Sequence, residues 1–195
     1  MVNLFFVAGE SSGDIHGANV IAALRAIDDS IACEGLGGRR MAEAGMHLLE
    51  DLAGRAIMGF TEVVKSFPYI RQVFHRTVER LRQTRPDGLV LIDYPGFNIR
   101  LAQEAQRIGI PVVYYISPQV WAWKRGRIRT LSQCVRKMLV IFPFEEALYR
   151  EAGVDCIYVG HPLLDHIRAT PAQTAFTGDP VLAILPGSRE QEIRR

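Results

Sequence analysis

Leu4-Phe5-Phe6-Val7-Ala8-Gly9-Glu10-Ser11-Ser12-Gly13-Asp14-Ile15-His16-Gly17 passes directly from an unbroken apolar run into small and polar residues. A short apolar run without alternation reads as a strand buried on both faces; a strand with one wet face alternates. Runs of the same kind recur at 31–36, 89–92, 112–116, 138–142 and 156–159. Helical patterns separate them, the clearest running from Phe60 through Val64, Phe67, Ile70, Phe74 and Val78 to Leu81, mostly at steps of three and four. Pro86-Asp87-Gly88 closes that helix, Gly109-Ile110-Pro111 precedes the run at 112, and Gly153 precedes the last run. Strand and helix repeated in this way, with right-handed crossovers, predict an α/β fold: a Rossmann-like, doubly wound parallel sheet over residues 1–168.

Beyond it, 169–180 is rich in Pro, Gly, Thr and Asp and reads as a linker. Val181-Leu182-Ala183-Ile184-Leu185 then reads as a fresh buried strand, followed by the turn Pro186-Gly187-Ser188-Arg189. A strand and turn without partners predict that 181–195 open a second domain inside which the chain breaks off.

The composition is that of a folded globular chain: 195 residues, 48% hydrophobic and 23% charged, which excludes disorder and collagen-like structure. Lys and Arg number 23 against 21 Asp and Glu, a net charge of +2, so bulk electrostatics predict no nucleic-acid partner. Cys33, Cys134 and Cys156 are odd in number, far apart and without CxxC spacing, which fits a reducing, cytoplasmic compartment rather than a disulfide framework or a zinc site. No apolar run approaches the roughly 20 residues that span a bilayer, so any membrane contact is expected to be peripheral. No His, Cys or carboxylate cluster has metal-ligand spacing, and neither a metal nor a cofactor is expected.

Open α/β sheets place ligands at the carboxyl ends of their strands, which makes the loop Gly9, Glu10, Ser11, Ser12, Gly13 and Asp14 the foremost binding candidate. Its glycines let backbone approach a ligand, and amides at the following helix start can hold a phosphate or a hydroxyl. The loop is not GxGxxG, which argues against a dinucleotide. The plain alternative is a turn with Ser12 or Asp14 as helix cap. Gly9, Ser11 and Gly13 also satisfy G-x-S-x-G, with Asp93 and His161 downstream in hydrolase order, so an esterase using Ser11 is a competing reading. Asp93 ends an apolar strand at the same sheet edge, where partial burial would raise its pKa and suit it to accept a proton; Asn98 after it can cap the next helix. Ser117 opens a stretch holding Trp121, Trp123, Lys124, Arg125 and Arg127, aromatic faces beside donors that suit sugars, acyl chains or phosphates. His161 follows the last strand. Pro68 predicts a break or kink within the long helix, leaving a greasy entrance near Phe60 and Phe67 suited to a lipid or a membrane surface.

Ala8 to Asp14, Gly35-Leu36-Gly37-Gly38-Arg39-Arg40-Met41, Ile57-Met58-Gly59-Phe60-Thr61-Glu62-Val63, Ile92-Asp93 with Phe97-Asn98, Ser117-Pro118-Gln119-Val120-Trp121-Ala122-Trp123, Phe142-Pro143-Phe144-Glu145, Val159-Gly160-His161-Pro162 and Leu185-Pro186-Gly187-Ser188-Arg189 together resemble the lipid-A-disaccharide synthase family over essentially the whole chain. The resemblance implies a GT-B glycosyltransferase, of which 1–168 is the acceptor-side domain and 181–195 the start of the UDP-sugar-binding domain. It implies an inverting, metal-free transfer from UDP-2,3-diacylglucosamine to 2,3-diacylglucosamine 1-phosphate, at the cytoplasmic face of the inner membrane. Asp93 matches the family's proposed base and Arg189 an essential arginine. The loop 9–14, Ser117, Trp121, Trp123, His161 and Ser188 would bind substrate, and Phe60, Val64, Phe67 and Ile70 would meet acyl chains or the membrane. Gly96 departs from the pattern, which often has a second aspartate there. The family's main UDP-binding residues lie beyond Arg195, so the chain alone is expected to bind donor poorly and to be inactive. A different GT-B enzyme, such as a UDP-sugar epimerase relative, is the other competing reading.

Overall fold

A computed structural model describes residues 1–54, 60–118 and 126–169, without the side chains of 60–66, 166, 168 and 169. The expected linker and the expected strand at 181–185 lie outside the described residues. The chain divides into two compact units, Met1–Pro162 and Leu163–Arg195.

The first unit holds seven parallel strands: β1 (Asn3–Ala8), β2 (Ala32–Gly37), β3 (His47–Asp51), β4 (Gly88–Ile92), β5 (Val112–Tyr115), β6 (Lys137–Val140) and β7 (Cys156–Tyr158), in the order β3-β2-β1-β4-β5-β6-β7. Its helices are α1 (Ser11–Ile27), α2 (Arg39–Glu43), α3 (Phe60–Thr84), α4 (Pro95–Ile108), α5 (Gly126–Cys134) and α6 (Pro143–Glu151), and α7 (Pro162–Ala169) follows β7. The doubly wound parallel sheet is therefore as the sequence predicts.

The unbroken apolar runs have a direct cause. Phe5 and Val7 of β1 and Leu89 and Leu91 of β4 pack with α3, α4 and α5 on one face. Phe6, Ala8, Val90 and Ile92, the residues between them, pack with α1 and α2 on the other. Each fully buried Phe or Leu contributes about 1.5–3 kcal/mol, and strands apolar on both faces collect this twice.

Two expectations are corrected. β3 carried no apolar run; its residues His47-Leu48-Leu49-Glu50-Asp51 are exposed or half-buried because the strand lies at the sheet edge, covered on one flank only. The break at Pro68 does not occur, and α3 continues through it. Proline removes one helical donor, but the turns on either side keep theirs, and Tyr69 beyond it donates 2.7 Å to Glu50.

Candidate active site

The crossovers from β1 go towards β2 and β3, whereas those from β4 go towards β5, so helices leave the two central strands on opposite sides. That reversal opens a crevice at their carboxyl ends. Ala8 and Ile92 form the last paired rung, which brings Gly9 and Glu10 alongside Asp93 and Tyr94.

Asp93 and Tyr94 both have left-handed backbone, with φ of 46° and 49°. For residues other than glycine this costs roughly 1–2 kcal/mol each, and it persists only where surroundings enforce it. Here they do. The Asp93 carbonyl accepts hydrogen bonds from Asn98 Nδ2 at 2.7 Å and from the Tyr114 hydroxyl at 2.7 Å, and its amide donates to the Tyr115 carbonyl at 3.0 Å. Asn98 and Tyr114 are fully buried. Asn98 also donates to Ile92 O at 3.3 Å, so it anchors the turn from inside α4 and does not cap it, as the sequence suggested; Tyr94 holds the N-cap position. Pro95 starts α4, and Gly109, left-handed with φ of 86°, ends it.

With its backbone fixed, the Asp93 carboxyl points into a site that water only partly reaches. Burial, and second the Glu10 charge, push its pKa up to about 6, against the opposing hydrogen bond from the Tyr94 amide. Such a group is ionised at neutral pH yet basic enough to take a proton. Burial and Glu10 also raise the Tyr94 phenol. The Tyr94 ring lies over Gly9, where a β-carbon would stand 2.3 Å from Cδ1. Gly9 thus answers a packing demand inside the chain.

Other predicted residues have internal partners. Asp14 is buried and accepts from the amides of Arg40 at 3.1 Å and Met41 at 3.0 Å. It caps α2, not its own helix. Gly13 packs on Ala8, its β-carbon position 3.2 Å from the Ala8 side chain. Ser117 is buried and donates to Glu145 at 2.8 Å, and Glu145 in turn accepts from the Phe142 amide at 3.3 Å, tying the end of β5 to the start of α6. Ser11 and Ser12 are exposed on the first turn of α1. His161 stands against Phe142, ring centroids 5.6 Å apart.

Of the apolar contact group, Phe67 is 59% exposed, and Ile70 is half-buried where it packs against the core from α3. The side chains of Phe60 and Val64, and all of Trp121, Trp123, Ser188 and Arg189, lie outside the described residues. Sequence reasoning passed over His16, which the structure brings to the same sheet edge, edge-on to Tyr115. Its signal was a lone imidazole within a stretch of small and apolar residues at the start of α1. Tyr94 and Tyr114 were missed as well, because their roles arise from the turn geometry.

No helix among the described residues is long and apolar enough to cross a membrane. Among solved structures, UDP-GlcNAc 2-epimerase from Neisseria meningitidis bound to UDP-GlcNAc superposes with a TM-score of 0.61 at 14% identity, over 86% of this chain and 49% of that one. UDP-N-acetylglucosamine 2-epimerase from Rickettsia bellii gives a TM-score of 0.58 at 12% identity, over 86% and 47%. At these identities the likeness is one of fold. Among curated proteins, the lipid-A-disaccharide synthase of Myxococcus xanthus (strain DK1622) is 45% identical over 98% of this chain and 52% of its own length. That of Syntrophus aciditrophicus (strain SB) is 47% identical with the same coverage. The chain thus spans about half the length of the curated relatives it matches. A family model described as lipid-A-disaccharide synthetase matches residues 4–195, and with the curated similarities it shows that this chain belongs to the lipid-A-disaccharide synthetase family.

Proposed function

We propose that this chain is the acceptor-side half of a GT-B glycosyltransferase that joins two acylated glucosamines. In this reading 2,3-diacylglucosamine passes from its UDP derivative to the 6-hydroxyl of 2,3-diacylglucosamine 1-phosphate, with inversion, to give a β-1,6 disaccharide 1-phosphate and UDP. The observation that carries the reading is Asp93, a pinned, half-buried carboxylate at the switch point of the sheet with a pKa near 6. An inverting transfer needs a base that accepts the hydroxyl proton as the oxygen attacks the anomeric carbon, and Asp93 fills that role. Glu10 stands beside it and keeps its basicity high. Arg189 and Ser188 are assigned to the leaving diphosphate, where a guanidinium offsets developing charge, and Trp121 and Trp123 to the sugar or acyl groups. No metal or cofactor takes part in the proposed step.

The acceptor is a lipid, and Phe67 on α3 is assigned to the inner-membrane surface at its cytoplasmic side, on the strength of its exposure. A Phe67→Glu variant is expected to lose most of its sedimentation with anionic lipid vesicles; unchanged sedimentation would remove Phe67 from the contact.

The test of the reaction is UDP release from the two acylated substrates by a protein of full family length containing this chain, with EDTA present. Release is expected to persist in EDTA and to vanish in Asp93→Asn. Because the base acts ionised, kcat/KM should fall as pH drops through about 6 and level off above it. Turnover by Asp93→Asn at the parent rate would end the assignment.

A further inference from the structure

The turn that carries Asp93 continues into Tyr94, the bulkier of the two residues held in left-handed backbone, with φ 49° and ψ 55° at the N-cap of α4. That region suits glycine or asparagine, and a large side chain there is an outlier. Strain of this kind gathers where a site must hold a group in one place. Two contacts fix the ring. A β-carbon on Gly9 would stand 2.3 to 2.5 Å from its Cδ1, Cγ and Cε1 atoms, so the loop after β1 lies directly against it. Phe97, one turn on, stacks with it at 5.8 Å between centroids and 29° between planes.

Phenylalanine would meet both of these packing contacts, and the hydroxyl is surplus to them. Other tyrosines give theirs to the chain: Tyr69 to Glu50, Tyr114 to the Asp93 carbonyl and Tyr149 to the Pro118 carbonyl. The Tyr94 hydroxyl bonds no described residue, and it is not enclosed, since the buried unpartnered side-chain atoms among the described residues are His16 Nδ1 and Asn98 Oδ1. It stands beside the base. Tyr94 adjoins Asp93 in the chain, and Gly9 and Glu10 follow the last paired rung, Ala8 with Ile92, on the neighbouring strand. The helix start beyond is bare at Gly96, where nothing lies within 4 Å of a β-carbon position. Burial first, and the Glu10 charge second, raise the phenol's pKa, so at neutral pH the hydroxyl keeps its proton and donates.

We propose that the Tyr94 hydroxyl binds the acceptor sugar, donating a hydrogen bond to its 4-hydroxyl and so turning the adjoining 6-hydroxyl towards Asp93. The inference rests on the acylated-sugar reading for the identity of the acceptor. On a pyranose the 4-hydroxyl is the hydroxyl nearest to C6 along the ring, so one donor beside the base can hold both oxygens in register. A ring fixed by Gly9 and Phe97 offers that donor in one place, which favours presentation of one sugar hydroxyl over the others.

Steady-state kinetics of UDP release test this, using a protein of full family length containing this chain, with 2,3-diacylglucosamine 1-phosphate and its 4-deoxy analogue as acceptors. Tyr94→Phe keeps the ring and its packing, so it separates the hydroxyl from the fold. It is expected to raise the acceptor KM about tenfold and to leave the donor KM unchanged. The 4-deoxy acceptor should be about tenfold poorer with the unaltered protein and no poorer still with Tyr94→Phe, because the two changes remove the same bond. Three outcomes overturn the assignment while the acylated-sugar reading stands on continued UDP release. One is an acceptor KM for Tyr94→Phe within about twofold of the parent value. Another is an equal rise in both KM values, which is what a merely structural role gives. The third is a Tyr94→Phe loss that persists in full on the 4-deoxy acceptor. No UDP release by the unaltered protein removes the reading and the Tyr94 assignment together.

Discussion

Asp93 holds its charge where water only partly reaches it, and at neutral pH that position costs stability. Its folded pKa of about 6 lies above the ordinary 3.8, so the native chain keeps a proton that the unfolded chain has already released. Stability associated with this group is therefore greatest below about pH 4 and declines as pH rises through 6. Asp93→Asn should accordingly raise stability by on the order of 2 kcal/mol at pH 7.5, after allowance for partial solvation, and by almost nothing at pH 4. Urea denaturation at the two pH values checks this, and an equal gain at both would show that the charge is not the cause. Asparagine also tolerates the left-handed backbone at this position, so the substitution adds little strain. The sequence marked Asp93 through its place at a strand end. It did not mark Tyr114 and Asn98 as the groups holding the turn, since each acts through a contact between residues distant in sequence or folded back on the chain.

At the level of single elements, α2 is the clearest case of a helix that depends on another. It spans only Arg39–Glu43, too short to persist alone, and begins at Gly38 without a side-chain cap of its own. Asp14 reaches over from α1 to receive its first amides. Asp14→Ala is expected to cost about 1–2 kcal/mol, with Asp14→Asn recovering part of it, as read from urea midpoints. A loss below about 0.3 kcal/mol would mean that water serves those amides equally well. The strands show what sequence can and cannot convey about elements. β1 and β4 were plain because both their faces are covered, and that demand shapes every residue. β3 was invisible because an edge strand answers to one neighbour, and Leu48 and Leu49 are too little to announce it.

Taken as a whole, the first unit carries three free cysteines spread across its sheet: Cys33 in β2, Cys134 at the end of α5 and Cys156 in β7. Burial pushes the Cys134 and Cys156 thiols up to about 11 and raises Cys33 as well. A thiol reagent at pH 8 should therefore leave the native chain unlabelled and modify all three in a single phase as it unfolds. Faster labelling at one cysteine would locate a segment that opens independently. The fold class and the switch-point crevice could be read from the order of strands and helices alone. The edge-on contact of His16 with Tyr115 could not, because it joins the start of α1 to the end of β5, which only the folded sheet brings together.

The placement of β4 beside β1 also bears on synthesis at the ribosome. β1 emerges first and can find β2 early, but its other edge has no partner until Gly88 to Ile92 have been made. Long-range parallel pairing of this kind is slow to form. The nascent chain therefore exposes a greasy, half-paired strand until β4 has been made, an opening for chaperones before the crevice at the strand ends exists.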